Sequence, residues 1–260
     1  MSHSNTFSKD NIDIYLNDFA EEYKKLTNEK QSLKIILVGG ASILLNYNFR
    51  KSTNDIDYSN PQSDLIDKAV LKTANKYKLF KNWLNNDFRK TSAYSDKIND
   101  ISIPYKNISD ILEVRTVSPE YLIVMKLMAF RNNKHDLSDV AGILMECKEN
   151  GKPLNIKDIK NAAITLYGNI NKLPKESLTM LNNLFKKNNY KNDYLYLKKR
   201  EEAIRNKYKE LKENLQNTDV LDHKALLNKA TSKINDKLEK YDDILLERCE
   251  PECQIPRSDD

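Results

Sequence analysis

Residues 34–59 decide the fold: Lys34-Ile-Ile-Leu-Val38, then Gly39-Gly40-Ala41-Ser42 and a helical run to Tyr47, then Arg50-Lys-Ser-Thr53 and Asn54-Asp55-Ile56-Asp57-Tyr58-Ser59. The apolar run 34–38 fits a short buried strand, and the glycine pair ends it. Ala41 to Tyr47 reads as a helix. Asn54 to Ser59 reads as a second strand, in which side chains alternate, so Asp55 and Asp57 leave one face while Ile56 and Tyr58 leave the other. Two carboxylates on one face can share a divalent cation, and Mg²⁺ takes oxygen ligands completed by water and substrate phosphates. Asp-x-Asp alone is common at strand ends, and Gly-Gly alone is an ordinary tight turn. Together they say more. A side-chain-free turn at a helix start lets phosphates approach exposed N–H groups and the positive end of the helix dipole, and Ser42 is placed to hydrogen-bond a phosphate oxygen. Arg50 and Thr53 add charge and a hydroxyl at the same end of the second strand.

Outward from this stretch, helices dominate. Ile12, Leu16, Phe19, Tyr23 and Leu26 mark a helix over 12–26, and Ser63 to Tyr77 marks another. Between Phe80 and Ser109 the pattern is poor and gives only a short strand at Ile101 to Ile103. Leu112 to Val117 alternates as a strand should. Ser118-Pro119-Glu120 is a helix start, with Ser118 as N-cap. The helix 119–131 carries Tyr-Leu-Ile-Val-Met-Lys-Leu-Met-Ala-Phe, apolar on nearly every face, as a core helix is. Beyond Gly151-Lys-Pro153 the chain turns to charged amphipathic helices. This places one domain over 1–150, a helical domain over 153–248 and a disordered tail over 249–260. Apolar positions Leu197, Ile204, Tyr208, Leu211, Leu215 and then Leu227, Ile234, Leu238, Tyr241, Leu245 predict a long antiparallel helix hairpin turning near 217–222.

Composition bounds the class. With 31% charged residues and a mean hydropathy of -0.72, the chain reads as a soluble globular protein. No run reaches membrane-helix length, and the first eleven residues lack a secretory signal, so a cytoplasmic location is expected. Cys147, Cys249 and Cys253 are too few for a disulfide framework, and Cys249-x-x-x-Cys253 lacks the partners of a metal site. The net charge of +5 is uneven: fourteen Lys/Arg face six Asp/Glu over 157–212. That surplus suits either a solvated helical surface or an acidic polymer.

A second cluster lies at the core helix. An ammonium at Lys126 inside apolar surroundings needs an anion, a snorkelling path or a core carboxylate. Asp136 and Asp139, three apart on one helical face, are candidates to approach Lys126 or Arg131. His135 reads as a bystander.

Val38-Gly-Gly-Ala-Ser42, Arg50-x-x-Thr53-x-Asp55-Ile-Asp57, Ser118-Pro to Lys126 and Arg131, and His135-Asp136-Leu-Ser-Asp139 together resemble the DNA polymerase β-like nucleotidyltransferase superfamily. The likeness is to bacterial proteins related to the AbiEii toxins of type IV toxin–antitoxin and abortive-infection systems, and it covers roughly 30–147. It implies an α/β nucleotidyltransferase domain with a mixed sheet, followed by the helical domain. It also implies Asp55 and Asp57 as metal carboxylates for Mg²⁺ (or Mn²⁺), Gly39, Gly40 and Ser42 as a phosphate turn, and Lys126 as a nucleotide-phosphate contact. Arg50 and Thr53 join the nucleotide-binding set, and Asp136 takes a polar role in the site. Many members add a third carboxylate; Asp100, Asp110 and Glu113 are the candidates here. The implied activity is Mg²⁺-dependent transfer of a nucleoside monophosphate from an NTP to an RNA (tRNA) or protein hydroxyl, in a toxin or phage-defence protein with a cognate antitoxin or regulator. The alternatives are an inactive nucleotidyltransferase fold that binds nucleotide or RNA in such a complex, and a helical interaction module.

Overall fold

The structure is a computed structural model that describes residues 6–60 and 63–216. By backbone contacts the chain divides into two compact units. One reaches Arg131 and resumes over His135–Lys198; the other takes Asn132–Lys134 and the chain from 199 on.

In the first unit the order begins α1 (Lys9–Thr27), β1 (Leu33–Ile36), α2 (Gly39–Asn46), β2 (Ile56–Asp57), α3 (Asp64–Tyr77), β3 (Leu84–Asn85). It continues with α4 (Ile98–Ile101), β4 (Ser102–Ile108), β5 (Leu112–Val117), α5 (Pro119–Ala129), α6 (Asp136–Glu149), α7 (Ile156–Tyr167), α8 (Lys175–Lys187) and the start of α9 (Tyr190–Gln216). β5 is central in a three-stranded sheet, parallel to β1 and antiparallel to β4, while β2 and β3 form a short parallel pair. The bridge Leu37↔Tyr58, with Val38 N donating to Asp57 O at 3.0 Å and Ser59 N to Ile36 O at 3.0 Å, lays β2 alongside the end of β1.

The apolar run of β1 is continuous because the strand is covered on both faces. Ile35 and Leu37 join one cluster with α1, α3 and Trp83, whereas Ile36 and Val38 join another with α5, α6, α7 and α8. The indole of Trp83 donates to Val70 O at 3.1 Å, which satisfies its N–H in the core. α5 is buried from Leu122 to Leu127 because helices contact it on several sides, principally α6 and α7. Its Ser118 N-cap makes no side-chain cap bond; the hydroxyl donates to Glu120 instead.

The sparse pattern over 80–109 conceals more structure than the short strand expected at 101–103. β4 runs seven residues, but only its ends are buried and it contains Pro104, so it has no apolar alternation to read. It is held by β5 on one side and opens with a bulge between Pro104 and Lys106. α7 and α8 lie in the same compact unit as α5, so the composition change near Pro153 does not coincide with the limit of that unit.

In the second unit, the described chain over 199–216 is helical, with an exposed Lys209–Glu213 pair at 3.9 Å. The expected turn near 217–222, the second helix of the hairpin, the tail 249–260, Cys249 and Cys253 lie outside the described residues. No helix among the described residues is long and apolar enough to cross a membrane.

Candidate active site

Three features meet where β1 ends: the turn into α2, the acidic edge of β2, and the ion chain joining α5 to α6. The turn opens with Gly39 at φ +57°, a conformation that side-chain-bearing residues rarely adopt. A Cβ on Gly39 would stand 3.6 Å from Asp57 Oδ2. Gly40 has a different reason: a Cβ there would meet Thr53 Oγ1 at 2.6 Å and Arg50 Nη2 at 3.0 Å. The second glycine makes room for the protein's own Thr53 and Arg50. Val38 is the N-cap of α2, and no described side chain caps it, so the first N–H groups of α2 are left to solvent or an anion.

The strand expected over 54–59 is short, with only Ile56 and Asp57 in β2, but the alternation holds across 55–58. Ile56 and Tyr58 are buried, while Asp55 is exposed and Asp57 half-buried. Burial pushes the Asp57 carboxyl up to about 6, and the neighbouring charge of Asp55 adds to this; Arg131 and Lys126 act in the opposite sense. Asp87, on the turn after β3, raises it further. A carboxylate that ionises reluctantly beside another carboxylate is one whose ionised form a bound cation would stabilise.

The third feature is a line of alternating charges. Arg50 Nη1 donates to both oxygens of Asp139, at 2.8 and 2.6 Å. Lys126 Nζ reaches Asp139 Oδ2 at 2.8 Å and Asp136 Oδ1 at 2.9 Å. Arg131 donates to Asp136 three times: Nε to Oδ2 at 2.8 Å, Nη2 to Oδ1 at 3.1 Å, and its backbone N to Oδ2 at 3.0 Å. Asp136 and Asp139 are essentially buried. Burial alone would raise Asp136, but Lys126 and Arg131 prevail and hold it well below the usual carboxylate range. Burial would lower Lys126, but Asp136 and Asp139 prevail and hold it above the ordinary lysine value.

α6 also fixes the loop that carries Arg50. Buried Glu146 accepts from Asn48 N at 3.0 and 2.8 Å and from Phe49 N at 3.2 Å, and Tyr194 Oη donates to Phe49 O at 3.1 Å. The Phe49 ring lies so close to Gly142 that a Cβ there would meet it at 2.6 Å.

Asp55, Asp57, Gly39 and Gly40 are thus brought together, with Arg50 and Thr53 against Gly40 and with Lys126 and Asp136 in the ion chain. Ser42 stands apart: it is fully buried, and its Oγ accepts from Val117 N at 3.3 Å, so its hydroxyl faces the sheet. Of the third-carboxylate candidates, Glu113 pairs with Arg115 at 2.6 Å and registers with Lys34, about 13 Å back along β1 from Val38. With Asp110 it lines a concavity of about 320 Å³ at that other end of the strand. Asp100 lies on α4, which leads into β4, and β4 is separated from β1 by β5 in the sheet. Among the described residues, no group of three or more His, Cys, Asp or Glu is placed to hold a metal ion.

Residues 15–148, more than half of the chain, match the model of a family described as nucleotidyltransferase of unknown function (DUF6036). The chain belongs to this family. In DUF6036 terms the matched segment runs from within α1 to the last turn of α6 and so includes every member of the site above except Tyr194. Comparisons with curated proteins and with solved structures give no match. Asp139 and Arg131 were expected only as partners in the second cluster, and Glu146 and Gly142 were not among the expected site residues. Asp139 had a visible signal in its spacing from Asp136; Glu146 and Gly142 acquire their meaning from a loop almost a hundred residues away.

Proposed function

We propose that this chain is a Mg²⁺-dependent nucleotidyltransferase that moves a nucleoside monophosphate from an NTP to a hydroxyl of RNA, tRNA foremost, or of a protein. The observation that carries the reading is the acid pair formed by Asp57 on β2 and exposed Asp55 just before it, with Asp57 set against the side-chain-free turn at the uncapped start of α2. The donor set fits the cation: two carboxylates, one with its charge disfavoured until a cation arrives. A bound Mg²⁺ would supply charge neutralisation at the triphosphate and acceptor. The rest falls to the chain. Asp55 and Asp57 would hold the cation, the N–H groups at Gly39 and Gly40 would face the phosphates, and the α5–α6 ion chain would fix the flanking positive charge. The acceptor oxygen attacks the α-phosphorus, its proton leaves to Asp55, Asp57 or solvent, and the bond to pyrophosphate breaks. Such catalysis is mainly positioning and charge stabilisation.

Exposed lysines at 157, 160, 172, 175, 186, 187 and 191 on and around α7–α9 support an RNA acceptor, because phosphate contacts supply most nonspecific affinity. The AbiEii likeness supports a toxin or phage-defence role, a cytoplasmic location, and pairing with an antitoxin or regulator. Purified protein incubated with each labelled NTP, Mg²⁺, total tRNA and cell lysate is the test. Label on RNA or protein with wild type, absent with Asp55→Ala/Asp57→Ala, is the expected result; no transfer with any NTP contradicts it. A second reading, an inactive fold that binds nucleotide or RNA in a defence complex, is favoured because no third acid among the described residues joins Asp55 and Asp57 in a group placed to hold a metal ion. Nucleotide or RNA binding without transfer would establish it.

A further inference from the structure

We infer that Arg131 is the side chain that meets the nucleotide's polyphosphate, and that Lys126 is a positioning residue behind it. The inference rests on the nucleotidyltransferase reading and deepens it by assigning a phosphate contact. An ammonium has three donors, and Lys126 spends two of them on Asp136 Oδ1 and Asp139 Oδ2, with its side chain 9% exposed. To turn toward a ligand it would leave two buried carboxylates without the cation between them. Arg50 is similarly committed to Asp139, its side chain 14% exposed.

Arg131 ends the chain of charges differently. Its side chain is 49% exposed. Asp136 grips it along one edge through Nε and Nη2, and the backbone N–H of the same residue binds the same carboxylate. The guanidinium plane is thereby fixed while Nη1 has no partner among the described residues. That leaves an open edge suited to forked contact with phosphate oxygens. The left-handed Phe130, whose N–H donates to Lys126 O, ends α5 and starts the turn that carries Arg131. Asp136 first, and with it the charges of Asp57 and Asp55, act on the guanidinium and hold it above the ordinary arginine value, which sets the open edge on the side of the acid pair in the proposed site. In this arrangement Lys126 and Asp136 do for Arg131 what an orienting residue does for a catalytic base: they set its plane without touching substrate.

The test uses the full chain. Affinity for each of the four NTPs with Mg²⁺ and for inorganic pyrophosphate is measured by calorimetry, and Mn²⁺ affinity without nucleotide by electron paramagnetic resonance. Arg131→Gln should weaken NTP and pyrophosphate binding at least tenfold. It should leave Mn²⁺ binding as tight or tighter, because a positive charge near Asp55 and Asp57 has gone. Arg131→Lys keeps a charge for Asp136 but loses the fork, and should weaken phosphate binding several-fold; it decides the matter if the glutamine variant does not fold. A folded variant with unchanged phosphate affinity overturns the assignment. So does parallel loss of phosphate and Mn²⁺ affinity, the mark of a structural role. If wild type binds neither NTP nor pyrophosphate, the nucleotidyltransferase reading itself falls.

Discussion

Asp57 carries a stability cost that its proposed role explains. Its carboxyl is raised to about 6 by burial and by Asp55, above the ordinary value near 3.8. A raised carboxyl pKa means the folded state holds its proton more tightly than the unfolded state does. The associated stability is fully present below about pH 4 and is lost as pH rises toward 6. Asp57→Asn should therefore stabilise the metal-free protein at pH 7.5 by about 1–3 kcal/mol, with the gain fading as melts are repeated down to pH 4. Lys126 behaves oppositely. Lys126→Met removes the buried cation between Asp136 and Asp139, leaving each carboxylate with one arginine, and should cost about 3–5 kcal/mol in urea unfolding, whereas exposed Asp55→Ala should change stability by no more than about 0.5 kcal/mol. Inactivity of a Lys126 variant would thus mix folding with function; inactivity of Asp55→Ala would not.

Among the elements, α6 holds the site together. Asp136, Asp139 and Glu146 reach Arg131, Lys126, Arg50 and the 48–49 backbone. Gly142 lets Phe49 lie against the same helix. Gly142→Ala should cost about 1–3 kcal/mol through overpacking and lower NTP affinity, by displacing the Arg50 loop; equal melting and binding in the variant would show that the loop tolerates the shift. Much of this level was legible in the sequence. The outward placing of Asp55 and Asp57 against buried Ile56 and Tyr58 followed from alternation, β5 was read with its full bounds, and the core character of α5 followed from its all-round apolar run. The ion chain was half legible, because Asp136 and Asp139 share a helical face. β3 and most of β4 were not. Two residues of parallel pairing leave no periodicity, and an edge strand with exposed centre lacks the alternation by which strands are recognised. Ser42 was misleading in context: its position after Gly-Gly fits a phosphate contact, yet a hydroxyl one turn into a buried helix serves the neighbouring strand's backbone.

At the scale of the whole molecule, charge separates by region. The acid pair lies at the sheet's end, while exposed lysines crowd α7, α8 and the start of α9. If those lysines track an RNA backbone, Lys186→Glu/Lys187→Glu/Lys191→Glu should weaken tRNA binding about tenfold in gel-shift titrations and flatten its salt dependence, with unchanged melting. Salt-insensitive RNA binding would remove the acceptor argument. The family match ends at residue 148, just short of these lysines, so on the proposed reading acceptor contacts and transfer chemistry would reside in different parts of the sequence.

The central claim is that Asp55 and Asp57 support nucleotidyl transfer, and the position of the label tests it most directly. Protein, Mg²⁺ and total tRNA are incubated with NTPs labelled at the α-phosphate or, separately, at the γ-phosphate. The account predicts label on the acceptor from the α position alone, abolished in Asp55→Ala. Label from the γ position, or α-label transfer that survives Asp55→Ala/Asp57→Ala, would contradict it.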